Sequence, residues 1–141
     1  MLRLDLPREP YRLDLGSGVT VTVRPLDTAV MAAARATVER TLREWREDRE
    51  RLRAIASDPS ALPDLDDPDA RAGLAEALLI KALARQAIVA WEGVLAVDGD
   101  TPAPVHRPRT VGDLMAFWDI ADRSLTRYTA AYVRLDAEKN V

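Results

Sequence analysis

The chain has 141 residues, of which 20 are basic and 23 acidic, for a formal net charge of −3. That near balance argues against a nucleic-acid binder that relies on bulk positive charge. Cysteine is absent and His106 is the only histidine, which excludes disulfides, thiol catalysis, thiolate metal sites and any metal site built on several histidines.

Hydrophobic residues make up 48% of the chain, enough for the core of one domain, and the length does not comfortably hold two. The opening "MLRLDLPREPYRLDL" is charged throughout and lacks the continuous apolar core of a secretory signal. The most apolar run, Leu74 to Trp91, is interrupted by Glu76, Lys81, Arg85 and Gln86, and is shorter than the roughly 20 apolar residues of a membrane span. The expected location is the cytoplasm, with no membrane or nucleic-acid partner.

Residues 1–26 read as a β-hairpin. Tyr11, Leu13 and Leu15 alternate with Arg12 and Asp14. Val19, Val21 and Val23 alternate with Thr20 and Thr22. Gly16-Ser17-Gly18 supplies a turn between them. A lone hairpin is marginal in water, so its apolar face must pack on something.

A first helix is predicted over 27–57, with Asp27 or Thr28 as its cap. No Gly or Pro interrupts Ala29 to Ala56, and strong helix formers dominate. Val38, Leu42, Trp45, Leu52 and Ala56 follow a four-three stripe into which Arg49 intrudes. The remaining surface interleaves acids and bases, so the helix can project beyond the core. Residues 58–68 are proline- and aspartate-rich and read as a flexible loop.

Asp67-Pro68 predicts an N-cap followed by proline at the first helical position, opening a central helix over 69–93 that Gly93 terminates. Leu74, Leu78, Leu79, Ile80, Leu83, Ile88, Val89 and Trp91 cover most of its circumference, the mark of a central helix. A connector over 94–110 holds a turn at Asp98-Gly99. Thr110 and Asp113 then resemble a capping box for a C-terminal helix over 111–138. Leu114, Trp118, Ala121, Leu125, Tyr128, Tyr132 and Leu135 form one apolar stripe along it. The expected fold class is α+β, mostly α: an N-terminal hairpin packed on a bundle of about three long helices.

Chemistry-bearing clusters are sparse. Glu44, Glu47 and Asp48 share one face of the first helix and could hold magnesium, as in all-α nucleotide pyrophosphohydrolases, if Asp119 or Asp122 completed the site. They sit among arginines, however, as on a solvated, ion-paired face. His106 lies in a proline-rich loop beside Arg107 and Arg109, with no nucleophile signature to serve. No catalytic residue, metal or cofactor is therefore expected. Trp91 and Trp118 are expected in the core. Trp45 lies on the charged half of its helix, and with Leu42, Arg49 and Leu52 it forms the expected partner-binding surface.

Three stretches together resemble the tail assembly chaperones of tailed phages and phage-derived gene transfer particles. They are the opening strand pair leading into "VRPLDTAVMAAAR", the stretch "LARQAIVAWEGVLAVDGDTPAPV", and the aromatic-spaced "LMAFWDIADRSLTRYTAAYVRL". The arginine-rich end of the first helix and the acidic loop fall outside the resemblance. It implies a non-enzymatic factor in the host cytoplasm that keeps the long helical tape-measure protein soluble while tail-tube protein polymerises around it, with homo-oligomerisation possible. Long amphipathic helices suit that task, because they can cover apolar stripes on a partner helix. The alternatives are a virion structural part, such as a head–tail connector or tail-completion subunit, and the metal-dependent pyrophosphohydrolase.

Overall fold

The computed structural model describes residues 6–55 and 63–130. Strands β1 (Tyr11–Gly16) and β2 (Val19–Val23) form the expected hairpin, with positive φ at Gly16, Ser17 and Gly18. Helices α1 (Thr28–Ala54) and α2 (Pro68–Ala87) follow, then a third strand β3 (Ile88–Glu92), and helices α3 (Pro108–Leu114) and α4 (Trp118–Tyr128). The fold is α+β and mostly helical.

The hairpin is extended into a three-stranded antiparallel sheet of order β1-β2-β3. Leu13 faces Val21 and Tyr11 faces Val23 across the first pair, while Val21 faces Trp91 across the second. One sheet face is therefore apolar. Leu15, Val19, Val21 and Val23 join the main core with Ala34 of α1, Ala82, Leu83 and Ala87 of α2, and Ile120, Ala121 and Tyr128 of α4. The opposite face carries Arg12, Thr20, Thr22 and Glu92, and Arg12 reaches across β2 to an exposed ion pair with Glu92 at 3.0 Å.

Two cap expectations hold. The Asp27 carboxylate accepts from the Val30 N–H at 2.8 Å, and Asp67 precedes Pro68 and accepts from the Asp69 N–H at 3.1 Å. Each satisfies a backbone donor that the first helical turn leaves without a partner. Helix α2 packs against α1, α3 and α4. Of the residues expected to make it apolar on most sides, Ile88, Val89 and Trp91 belong to β3, and the buried residues of α2 are Ala82, Leu83, Ala84 and Ala87.

Three boundaries differ from the sequence reading. The central helix stops at Ala87 rather than 93, because "IVAWE" is β3. Short apolar runs rich in β-branched and aromatic residues suit either state locally. Here the open edge of β2 decides. The Arg24 N–H donates to the Ala87 carbonyl at 2.8 Å, so the last carbonyl of α2 is taken up by the segment following β2. Ile88 then turns extended, with φ −73° and ψ 121°.

The C-terminal helix is broken in two. It begins at Pro108, three residues before Val111, with Arg107 at the cap position and no side-chain cap bond, so the Thr110–Asp113 capping box does not form. It then breaks after Leu114. The Ala116 N–H donates to Asp113 O and the Phe117 N–H to Leu114 O, at 3.2 and 3.3 Å, which tightens the last turn and redirects the chain. Leu114 and Met115 on one side of the break and Ile120 and Ala121 on the other are all buried in the core. The expected continuation of the helix to 138, including Tyr132 and Leu135, and most of the 58–68 loop lie outside the described residues.

Tertiary bonds clamp α4 onto the hairpin. Arg123 donates to the Leu15 carbonyl at 2.8 Å, Arg127 donates to the Asp14 carbonyl, and the Tyr128 hydroxyl donates to the Arg24 carbonyl at 2.7 Å. These residues are 104 to 113 positions apart in sequence, so the first and last described elements close on each other.

Candidate interaction surfaces

The turn after β3 is built residue by residue. Gly93 has φ +81°, and a Cβ there would overlap the Gly18 carbonyl oxygen of the hairpin turn. Only glycine combines that backbone conformation with so close an approach. Beyond it the chain makes a small local hairpin. The Ala103 N–H donates to Val94 O at 2.9 Å and the Ala96 N–H to Thr101 O at 2.8 Å, and Leu95 bridges Pro102.

Asp98 organises the tip. Its carboxylate accepts from the N–H groups of Asp100 and Thr101, both at 2.9 Å, and from the Thr101 hydroxyl. Gly99 takes φ +78°, and its N–H donates to Ala96 O at 2.9 Å, so the Asp98-Gly99 turn forms as its sequence predicts. The Thr101 hydroxyl foremost, then the Thr101 and Asp100 N–H groups, hold the Asp98 carboxyl below its ordinary pKa, since each bond favours the charged form. At the base, the half-buried Trp91 indole N–H donates to Ala103 O at 2.9 Å, tying the strand to the far end of the loop.

This ordered loop leaves two large apolar side chains in solvent. Leu95 is 57% exposed and Val97 is fully exposed. The hydrogen bonds of the loop hold both side chains out of the core.

The second exposed apolar feature is Phe117-Trp118, at the start of α4, 64% and 79% exposed. This corrects the placement of Trp118 in the core. The break between α3 and α4 rotates Trp118 off the stripe that Leu114 and Ala121 keep buried. No glycine or proline marks that break, so the sequence carries no local signal for it. Trp91, by contrast, packs against the core as expected.

The α1 residues expected to meet a partner, Leu42, Trp45, Arg49 and Leu52, are all half-buried. Arg49 donates to the Pro63 carbonyl at 3.0 Å, so the segment leading into α2 already lies against this face, with Leu65 buried nearby in sequence.

The carboxylates considered for a metal do not gather. Glu44 lies 4.0 Å from Arg40, Asp48 pairs with Arg51, and Asp119 lies 3.7 Å from Arg123 on α4. Among the described residues no group of three or more histidine, aspartate or glutamate side chains is arranged to hold a metal ion. His106, Arg107 and Arg109 are exposed. Among the described residues no helix is long and apolar enough to cross a membrane. No family model, curated protein or solved structure matches the chain.

Proposed function

We propose that this protein is a non-enzymatic assembly factor, a tail assembly chaperone of a tailed phage or phage-derived particle, acting in the host cytoplasm on the tape-measure and tail-tube proteins. The observation that supports this reading best is the ordered loop from Val94 to Ala103. It lies within the stretch "LARQAIVAWEGVLAVDGDTPAPV" that carries the resemblance, and it holds Leu95 and Val97 out of the core on a hydrogen-bonded frame. An apolar stripe on a helical partner is the kind of surface such tips can cover.

Co-expression with a phage tape-measure protein tests the reading. The expected result is co-purification and a larger soluble fraction of the tape measure, both lost in a Leu95→Asp, Val97→Asp double variant that keeps its helical signal. A tape measure equally insoluble with and without this chain, and never co-purifying, would sink the proposal.

A further inference from the structure

Asp98-Gly99 is the one Asp-Gly step in the sequence, and such a step carries its own chemistry. Glycine has no side chain to shield its amide nitrogen, so that nitrogen can attack the carboxyl group of the aspartate before it. The Gly99 nitrogen gives up its proton and bonds to the Asp98 Cγ, and one carboxyl oxygen leaves as water. Water then opens the five-membered ring at either carbonyl. One product is aspartate again. The other is isoaspartate, whose main chain runs through Cβ and is one methylene longer. No other reactant is needed.

The tip of the 94–103 loop engages both reacting groups elsewhere. The Gly99 N–H donates to Ala96 O at 2.9 Å. The Asp98 carboxylate accepts from the N–H groups of Asp100 and Thr101, both at 2.9 Å, and from the Thr101 hydroxyl. The oxygen that leaves as water must first be protonated, and these bonds favour the charged form, holding the carboxyl below its ordinary pKa. Ring closure therefore requires the nitrogen to be freed from Ala96 and the carboxyl to swing away from Thr101. Asp98 and Gly99 are both exposed, so burial does not hold them apart and the bonds must.

We infer that Asp98-Gly99 is a self-modification site held closed by the loop's own hydrogen bonds, with the Thr101 hydroxyl as its latch. Each local opening of the loop exposes the pair to ring closure. Isoaspartate, once formed, removes the organiser of the tip, because its free carboxyl is the former main-chain group and no longer reaches the Asp100 and Thr101 N–H groups from the same position. The inference does not depend on the tail assembly reading; it concerns how long the frame that holds Leu95 and Val97 lasts.

Incubating the purified chain in warm, near-neutral buffer and following the 94–103 segment by peptide mapping tests it. Isoaspartate has the mass of aspartate but separates from it chromatographically, and the ring intermediate is lighter by one water. The folded chain is expected to isomerise about tenfold more slowly than the same chain unfolded in urea, since several ordinary hydrogen bonds must open together first. Thr101→Val removes the hydroxyl and keeps the main-chain N–H; it should recover several-fold of that difference with the helical signal unchanged. Thr101→Ser restores the hydroxyl and should isomerise as slowly as the native chain. A folded chain that isomerises as fast as the unfolded one overturns the inference, and so does an unfolded chain that yields no isoaspartate. So would Thr101→Val and Thr101→Ser chains that isomerise at the same rate, since the hydroxyl would then not be the latch.

Discussion

The chain turns two corners in its C-terminal half, and they are made in opposite ways. At Trp91-Glu92-Gly93 the turn is pinned from every side. Glycine takes φ +81° against the Gly18 carbonyl, the tryptophan is half-buried, and its indole N–H is bonded to Ala103. At Met115-Ala116-Phe117 there is no glycine, no proline and no side-chain cap bond, and the two aromatics that follow stand in solvent. The first corner spends its aromatic on holding the fold. The second leaves its aromatics available to something outside it. Phe117 and Trp118 add little to the core, whereas a bonded tryptophan against the core is architecture.

Substitutions can break that contrast. The largest effect is expected at the first corner. Gly93→Ala must force an L-residue into positive φ and push a Cβ into the hairpin turn, so a loss of about 3 kcal/mol is expected, read from urea unfolding of the variant. A loss below about 0.5 kcal/mol would show that the corner is not pinned as described.

Trp91→Phe keeps most of the apolar contact and removes one part-buried hydrogen bond. It should cost about 1 kcal/mol. Hydrogen exchange should quicken at the Ala103 and Ala96 amides, while α4 amides stay protected. Uniform loss of protection would mean that the indole bond supports the whole core rather than the loop.

At the second corner, Trp118→Ser should change stability by no more than about 0.5 kcal/mol, read from urea unfolding, because the side chain is 79% exposed. A cost equal to that of Trp91→Phe would erase the distinction between the corners.

The smallest effect concerns the tip of the 94–103 loop. The folded-state pKa of Asp98 is depressed, so its contribution is fully present above the ordinary carboxylate value and is lost as pH falls through the depressed one. Acidification below the ordinary carboxylate range should therefore loosen the loop before the core melts, visible as chemical-shift change at Asp100 and Thr101. Asp98→Asn should remove that pH dependence. A loop whose shifts are as pH-dependent in Asp98→Asn as in the native chain would remove Asp98 as its organiser.

Much of this was legible in the residues. The period-two alternation of 11–15 and 19–23 with glycines between determined the hairpin, and Asp27, Asp67-Pro68 and Asp98-Gly99 determined two helix starts and a turn. These are short-range rules: a strand face, a capping carboxylate and a glycine at positive φ depend on neighbours a few residues away. That α2 packs against other helices was legible in part, from Leu74, Leu78, Leu79, Ile80 and Leu83, of which Leu83 is buried and the others are half-buried.

What the residues alone left open was settled by groups far apart in the chain. "IVAWE" suits helix or strand, and it is a strand because the edge of β2 and the Arg24 N–H lie where that segment emerges. The Phe117-Trp118 step fits a continuous helical stripe, and it is exposed because α3 and α4 must bury Leu114 and Ile120 in one core from two directions. Local propensity differs by only fractions of a kcal/mol per residue between such states, and the burial and pairing offered by distant elements outweigh it.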